Sequence, residues 1–197
     1  MARIPRDELR ARLIEIAEAR ICAEGLDGLR ARDLAREAGC AVGAIYNVFA
    51  DMNQLVLAVN GRTFLRLGDQ VRRTVEAQPD PAPIAQLIAM AEGYRAFATE
   101  NRNAWLALFD LRMSSDADVP DWYWQEMGAL FDIIATPLRA LHPDHSPEDL
   151  DLLVRTLFSA VHGIVLLGVE KRISGVPDER VAQMLALLVT KTAAPDP

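Results

Sequence analysis

The sequence predicts an all-α protein of about nine helices, with an N-terminal helix-turn-helix domain followed by a larger helical body. Three observations predict it. Apolar residues recur at helical spacing through most of the 197 residues, and no stretch sustains the alternation of a half-buried strand. Gly and Pro fall between the periodic segments, and the one Asn-Gly pair, Asn60-Gly61, lies inside a helical pattern.

Leu9, Leu13, Ile16, Ala17 and Ile21 share one face of a first helix, which Gly25 and Gly28 end. Short helices follow at about 31–38, stopped by Gly39, and at about 41–48. A long helix runs from about 52 to 77 on Leu55, Val56, Val59, Phe64, Leu67 and Val71, with Asp51 as its N-cap. The run Pro79-Asp80-Pro81-Ala82-Pro83 cannot continue it. Further helices are expected at about 82–99, 102–112, 120–141, 147–171 and 178–191. Ser146 before Pro147, Glu148 and Asp149 reads as an N-cap, an N1 proline and first-turn acids. Pro137 is expected to kink its helix or end it early. Two domains follow: residues 7–67, with the helix-turn-helix at about 30–49, and residues 80–193.

A hydrophobic share of 51% with 25% charged residues excludes a disordered chain. Cys22 and Cys40 form neither a CxxC pair nor a zinc spacing, and the Arg-rich start MARIPRDELR lacks the apolar core of a secretory signal. The longest uncharged stretch, between Arg155 and Glu170, has 14 residues, short of the roughly 18 that a membrane span needs. A soluble cytoplasmic protein without a membrane partner is expected. Charge is uneven: residues 1–75 hold 12 Arg against 10 acids, residues 76–197 hold 9 basic against 18 acidic residues. A slightly basic head on an acidic body points to two tasks.

The head carries the chemical signal. Two short helices joined at Glu37-Ala38-Gly39-Cys40 and braced by a longer helix describe a DNA-reading helix-turn-helix, whose second helix enters the major groove. Leu34, Ala35, Val42 or Ile45, and Phe49 can build its small core. No residue from Cys40 to Phe49 is charged, so the bidentate Arg–guanine contact is absent from that helix. Apolar contacts from Ala41, Val42 and Ala44, for example with thymine methyls, together with Tyr46 and Asn47, are left to read bases. Arg30 and Arg32, assisted by the helix N-terminus, are the expected phosphate anchors.

The run AGCAVGAIYNVFADMNQL, residues 38–55, resembles the helix-turn-helix of TetR-family transcriptional repressors. Members tend to show Gly-Val-Ser-x-Gly-x-Leu-Tyr-x-His-Phe-x-x-Lys-x-x-Leu. Gly39, Gly43, Tyr46, Phe49 and Leu55 match, with Ile45 for Leu, and the upstream ARDLAREAG is similar to the family's first motif helix. Met52 stands where the family has Lys, and Cys40-Ala41 replace Val-Ser, which removes a phosphate contact and a hydroxyl. AVHGIVLLG, residues 160–168, is similar to the subclass with a Trp-His-Gly signature, with Val161 in place of Trp.

In the body, Tyr94, Phe97, Trp105, Leu106, Phe109, Trp122, Tyr123, Trp124 and Phe131 follow helical spacing, which fits a core or a pocket wall. The resemblance implies an effector pocket here, for which Trp105, Phe109, Trp124 and Phe131 are the candidate liners. Leu153, Leu157, Val161 and Ile164 form one apolar stripe, and Val181, Leu185 and Leu188 a second. In TetR-like proteins these helices form the dimer interface that a palindromic site requires. His142, Asp144 and His145 beside two prolines read as a solvated loop rather than a metal site, and His162 as a hydrogen-bonded core or interface residue. No nucleophile elbow, phosphate loop or dinucleotide fingerprint is present. Neither catalysis, a metal nor a cofactor is expected. The expected function is a ligand-responsive transcriptional regulator, most simply a repressor that binds a palindromic duplex operator as a homodimer and is released by a small, mostly apolar effector. The alternatives are an all-α small-molecule-binding enzyme and a helical protein-interaction adaptor.

Overall fold

Where the sequence places a helix-forming stripe, the backbone follows. The computed structural model describes residues 4–79, 81–111, 119–170 and 176–194. Among them are α1 (Arg6–Glu24), a 3-10 turn (Leu26–Gly28), α2 (Ala31–Ala38), α3 (Val42–Tyr46), α4 (Met52–Glu76), α5 (Pro83–Glu100), α6 (Arg102–Asp110), α7 (Asp121–Leu141), α8 (Pro147–Val169) and α9 (Asp178–Thr192), with no strand. The expected extensions to residues 112 and 171 lie outside the described residues.

The caps follow local chemistry. Asp51 Oδ1 accepts from the Gln54 N–H at 2.8 Å and starts α4. Ser146 Oγ accepts from the Asp149 N–H at 3.1 Å and starts α8 behind Pro147. Pro137 does not end α7, which continues to Leu141. Pro137 is itself buried beside Ala135 and fully buried Leu138, and this packing offsets the hydrogen bond the ring removes.

The chain condenses into two compact units that do not follow its order. The first comprises Met1–Leu65 and Asn101–Trp124; the second comprises Arg66–Glu100 and Gln125–Pro197. The boundary thus falls inside α4, and α6, placed with the C-terminal body by sequence order, belongs to the first unit. The reason is in its contacts. Ala107 joins the core formed by Leu9, Leu13, Ile14, Ala17 and Ile21 of α1, Leu34, Ala35 and Ala38 of α2, Ile45 of α3, Phe49, and Leu55, Val56, Ala58 and Val59 of α4. Asn60, fully buried on α4, donates from Nδ2 to the Ala107 carbonyl at 2.9 Å. Asn103 Nδ2 reaches the Cys22 and Ala23 carbonyls at 3.0 and 3.2 Å, satisfying acceptors that α1 leaves open at its end.

In the second unit α5, α8 and α9 pack on one another. Leu150, Val154, Leu157, Val161 and Val165 of α8 and Val181, Leu185 and Val189 of α9 are buried within the protomer. Glycines permit the closest approaches. A Cβ at Gly168 would lie 3.1 Å from Val181, and one at Gly93 on α5 would lie 2.8 Å from Thr74 Oγ1 and 3.3 Å from the Val71 Cα of α4. His142, expected in a solvated loop, is instead buried, with Nε2 3.3 Å from the Ala193 carbonyl and its ring against His145.

The outer face of α8 is more apolar than its longest uncharged stretch suggests. By length and composition alone α8 is apolar enough to cross a membrane, because the run after Glu148, Asp149, Asp151 and Arg155 is uncharged, and 22% of its most apolar window is buried. Leu152 and Leu167 on this helix and Leu187 on α9 are exposed.

Gly93→Ala is expected to destabilise the fold by about 1–3 kcal/mol through overpacking against α4. Gly128→Ala, where a Cβ meets nothing within 4 Å inside α7, is expected to stabilise it by roughly 0.5–1 kcal/mol. Urea unfolding of the two variants checks the contrast.

Candidate nucleic-acid interface

The turn between α2 and α3 is fixed by backbone hydrogen bonds. Gly39 takes φ 69° and ψ 34°, the left-handed region. The Cys40 N–H donates to the Ala35 carbonyl at 2.9 Å and the Gly39 N–H to the Arg36 carbonyl at 3.3 Å, the paired bonds of a Schellman ending. Cys40 then packs against the core, as that ending favours. Ala41 follows in an extended conformation without a side-chain cap, and α3 is one short helix of five residues.

This geometry sorts the expected reading residues. Ile45, not Val42, enters the core: Ile45 is fully buried and Val42 is 37% exposed. Ala41, Gly43, Tyr46 and Asn47 are exposed as well. Ala44, expected at the bases, is half-buried against the core because it lies beside Ile45 on the inner side of so short a helix. Met52, in the position of the family's Lys, also packs against this core.

The arginines divide into two groups. Arg20 forms an ion pair with Glu37, and Arg12 Nη2 donates to the Glu37 carbonyl at 3.3 Å, tying α1 to the end of α2. The Arg20 hydrogen bond holds the Glu37 carboxyl below its ordinary pKa. Arg36 pairs with Asp33 at 2.9 Å, Arg62 with Glu18 at 3.2 Å, and Arg10 lies 5.5 Å over the Phe49 ring. Arg30 and Arg32 are exposed at the start of α2, and neither side chain has an ion-pair or hydrogen-bond partner among the described residues. Two exposed cations beside a short uncharged helix therefore form a surface suited to a polyanion.

A family model described as "Bacterial regulatory proteins, tetR family" matches residues 13–59, and one described as "Tetracyclin repressor-like, C-terminal domain" matches residues 87–192, more than half of the chain. The chain belongs to the TetR family of transcriptional regulators. Among curated relatives, the HTH-type transcriptional regulator Rv1816 of Mycobacterium tuberculosis is 25% identical over 134 residues, covering 66% of this chain and 57% of the relative. The chain thus spans little more than half the length of the curated relatives it matches. Among solved structures, a protein of unknown function from Rhodococcus sp. RHA1 is 26% identical with a TM-score of 0.74, covering 93% of this chain and 94% of that one. RolR in complex with resorcinol has the same fold at 17% identity, with a TM-score of 0.70 and coverages of 97% and 90%.

The four aromatic residues expected around a TetR effector divide between the two units, with Trp105, Phe109 and Trp124 in the first and Phe131 in the second. Trp105 is fully enclosed in the first unit with Phe109 edge-on at 5.5 Å, while Phe109 and Trp124 are each 42% exposed. Phe131 belongs to a different cluster, in the second unit. There it meets Phe158 at 5.2 Å and Arg155 at 5.3 Å, and Phe158 stacks on His162 at 5.8 Å. Tyr94 Oη and His162 Nδ1 are 2.8 Å apart, a hydrogen bond in either imidazole tautomer. Sequence reading passed over Phe158 and the Tyr94–His162 pair. Their only signal is that residues 158 and 162 sit one helical turn apart.

Burial holds the His162 pKa below its ordinary value. The folded chain therefore binds this proton less readily than the unfolded chain, so the contribution is fully present above pH about 6.5 and is lost as pH falls from there through the folded pKa. Urea midpoints between pH 7.5 and 5.5 are expected to fall more steeply for the wild type than for His162→Gln.

Proposed function

We propose that this TetR-family protein is a ligand-responsive repressor that binds a palindromic DNA operator as a homodimer in the cytoplasm. The observation that carries the DNA reading is the pairing of unengaged Arg30 and Arg32 with an exposed α3 on a rigid turn. Phosphate contacts position the motif, and α3 meets the base edges.

Dimerisation is supported by the outer face of α8 and α9. Leu157, Val161, Val181 and Leu185 were expected to face a partner, but they are buried in the protomer, where α5, α8 and α9 meet. Leu153, Ile164 and Leu188 are half-buried. The outward apolar residues are Leu152 (66% exposed), Leu167 and Leu187 (62% exposed), and a Cβ at Gly163 would meet nothing within 4 Å. An apolar helix with a small residue on its open side suits a second copy of itself better than water. The effector reading rests on the second-unit cluster of Tyr94, Phe131, Phe158 and His162, a mainly apolar group with few polar atoms. RolR, which shares the fold, is seen with a small aromatic ligand. A ligand preferring the conformation that binds DNA less well would weaken repression by its differential affinity for the two states.

The test is a salt titration of binding to operator and random duplex. Arg30→Ala and Arg32→Ala are each expected to lower the log–log salt slope by about one per head, so about two per dimer, and to weaken both duplexes alike. An unchanged slope would remove both arginines from the phosphate contacts. In sedimentation, Leu152→Glu with Leu187→Glu is expected to give folded monomers with much weaker operator binding. Leu185→Lys is expected to unfold the chain by burying an unpaired charge. A monomeric wild type at micromolar concentration would exclude the dimer, and a wild type that partitions into lipid vesicles would assign α8 to a membrane instead.

A further inference from the structure

Resting on the DNA-binding reading, we infer that the exposed face of α3 selects its operator by the C5-methyl groups of thymine. The face that Ile45 and Ala44 leave outward consists of Ala41, Val42, Gly43, Tyr46 and Asn47. Between Cys40 and Phe49 there is no charged side chain. The strongest guanine contact, a bidentate Arg or Lys, cannot arise there, nor can a carboxylate accept from cytosine. The one apolar group that a base pair presents in the major groove is the thymine methyl. Val42 is 37% exposed at the first position of α3, so it neither fills the core nor favours a helix.

Gly43 supports the same conclusion independently. A Cβ built there meets nothing within 4 Å, so packing does not require glycine. Glycine is also a poorer helix former than alanine. The position instead leaves the backbone of α3 flat on its outer side, where a duplex can approach closely. Arg30 and Arg32, exposed on α2, supply the charge complementarity that brings a duplex to this apolar strip. Asn47 is the one exposed carboxamide on the face and suits an adenine beside those thymines.

The experiment begins with selection of a preferred duplex from a random pool by the full-length protein. Each thymine of that duplex is then replaced singly by deoxyuridine, which removes only the methyl group, and binding is measured at fixed salt. One or two thymines per half-site should weaken binding about fourfold on losing the methyl, the loss expected for one buried carbon. Val42→Ala should abolish that discrimination at one of them while leaving the affinity for the deoxyuridine duplex within about twofold, a coupling that a general loss of folding cannot mimic. Gly43→Ala should keep or raise the Tm yet weaken operator binding by about tenfold or more. Deoxyuridine tolerated at every position, or full discrimination retained by Val42→Ala, overturns methyl reading while the DNA-binding reading stands. Failure to select any duplex overturns both.

Discussion

The orientation of α3 is set by one turn. Gly39 enters the left-handed region and the Cys40 and Gly39 N–H groups close back on Ala35 and Arg36. With the exit angle fixed, Ile45 is the side chain that reaches the core, and Val42 and Tyr46 are left outside. A residue with a Cβ at position 39 would strain that turn. Arg12 and Arg20 of α1 hold the same end of α2 through the Glu37 carbonyl and carboxylate, so α1 grips the motif just before the turn. The polar groups that brace the motif are for that reason engaged within the protein, while Arg30 and Arg32 on α2 stay exposed.

Much of this was legible in the sequence, because the decisive signals were local. Gly39 after a helical octet, Asp51 before a long apolar stripe, and Ser146-Pro147 each specify a terminus through neighbouring backbone geometry alone. The choice between Val42 and Ile45 was not legible. A five-residue helix spans less than two turns, and its period cannot say which β-branched residue faces inward. The depth of His142 was hidden for a different reason: its partner, the Ala193 carbonyl, lies 51 residues away.

The stripes of α8 and α9 show a third limit. Leu150, Val154, Leu157, Val161 and Val165 face inward while Leu152 and Leu167 face outward on the same helix. When apolar residues occupy nearly every side of a helix, periodicity reports that it is covered but not which side its own chain covers. The aromatic residues behaved alike. Trp105 and Phe131 look equivalent by composition, yet one is enclosed in the first unit and the other joins Phe158 and His162 in the second.

The reach of α6 back to α1 bears on how the protein is made. Asn103 closes the end of α1 across 81 residues, and Ala107 completes the core that holds α2 and α3 in place. Translation adds roughly 5–20 residues per second, and the amino-terminal part of a chain ordinarily folds first. Here the motif leaves the ribosome ahead of α6 and waits several seconds for the segment that caps it. Meanwhile the nascent chain exposes the apolar side of α1 and α4, and all of α5 is synthesised before α6 arrives. The surface that meets nucleic acid is thus encoded upstream of its own support and becomes fully ordered only once α6 has been read.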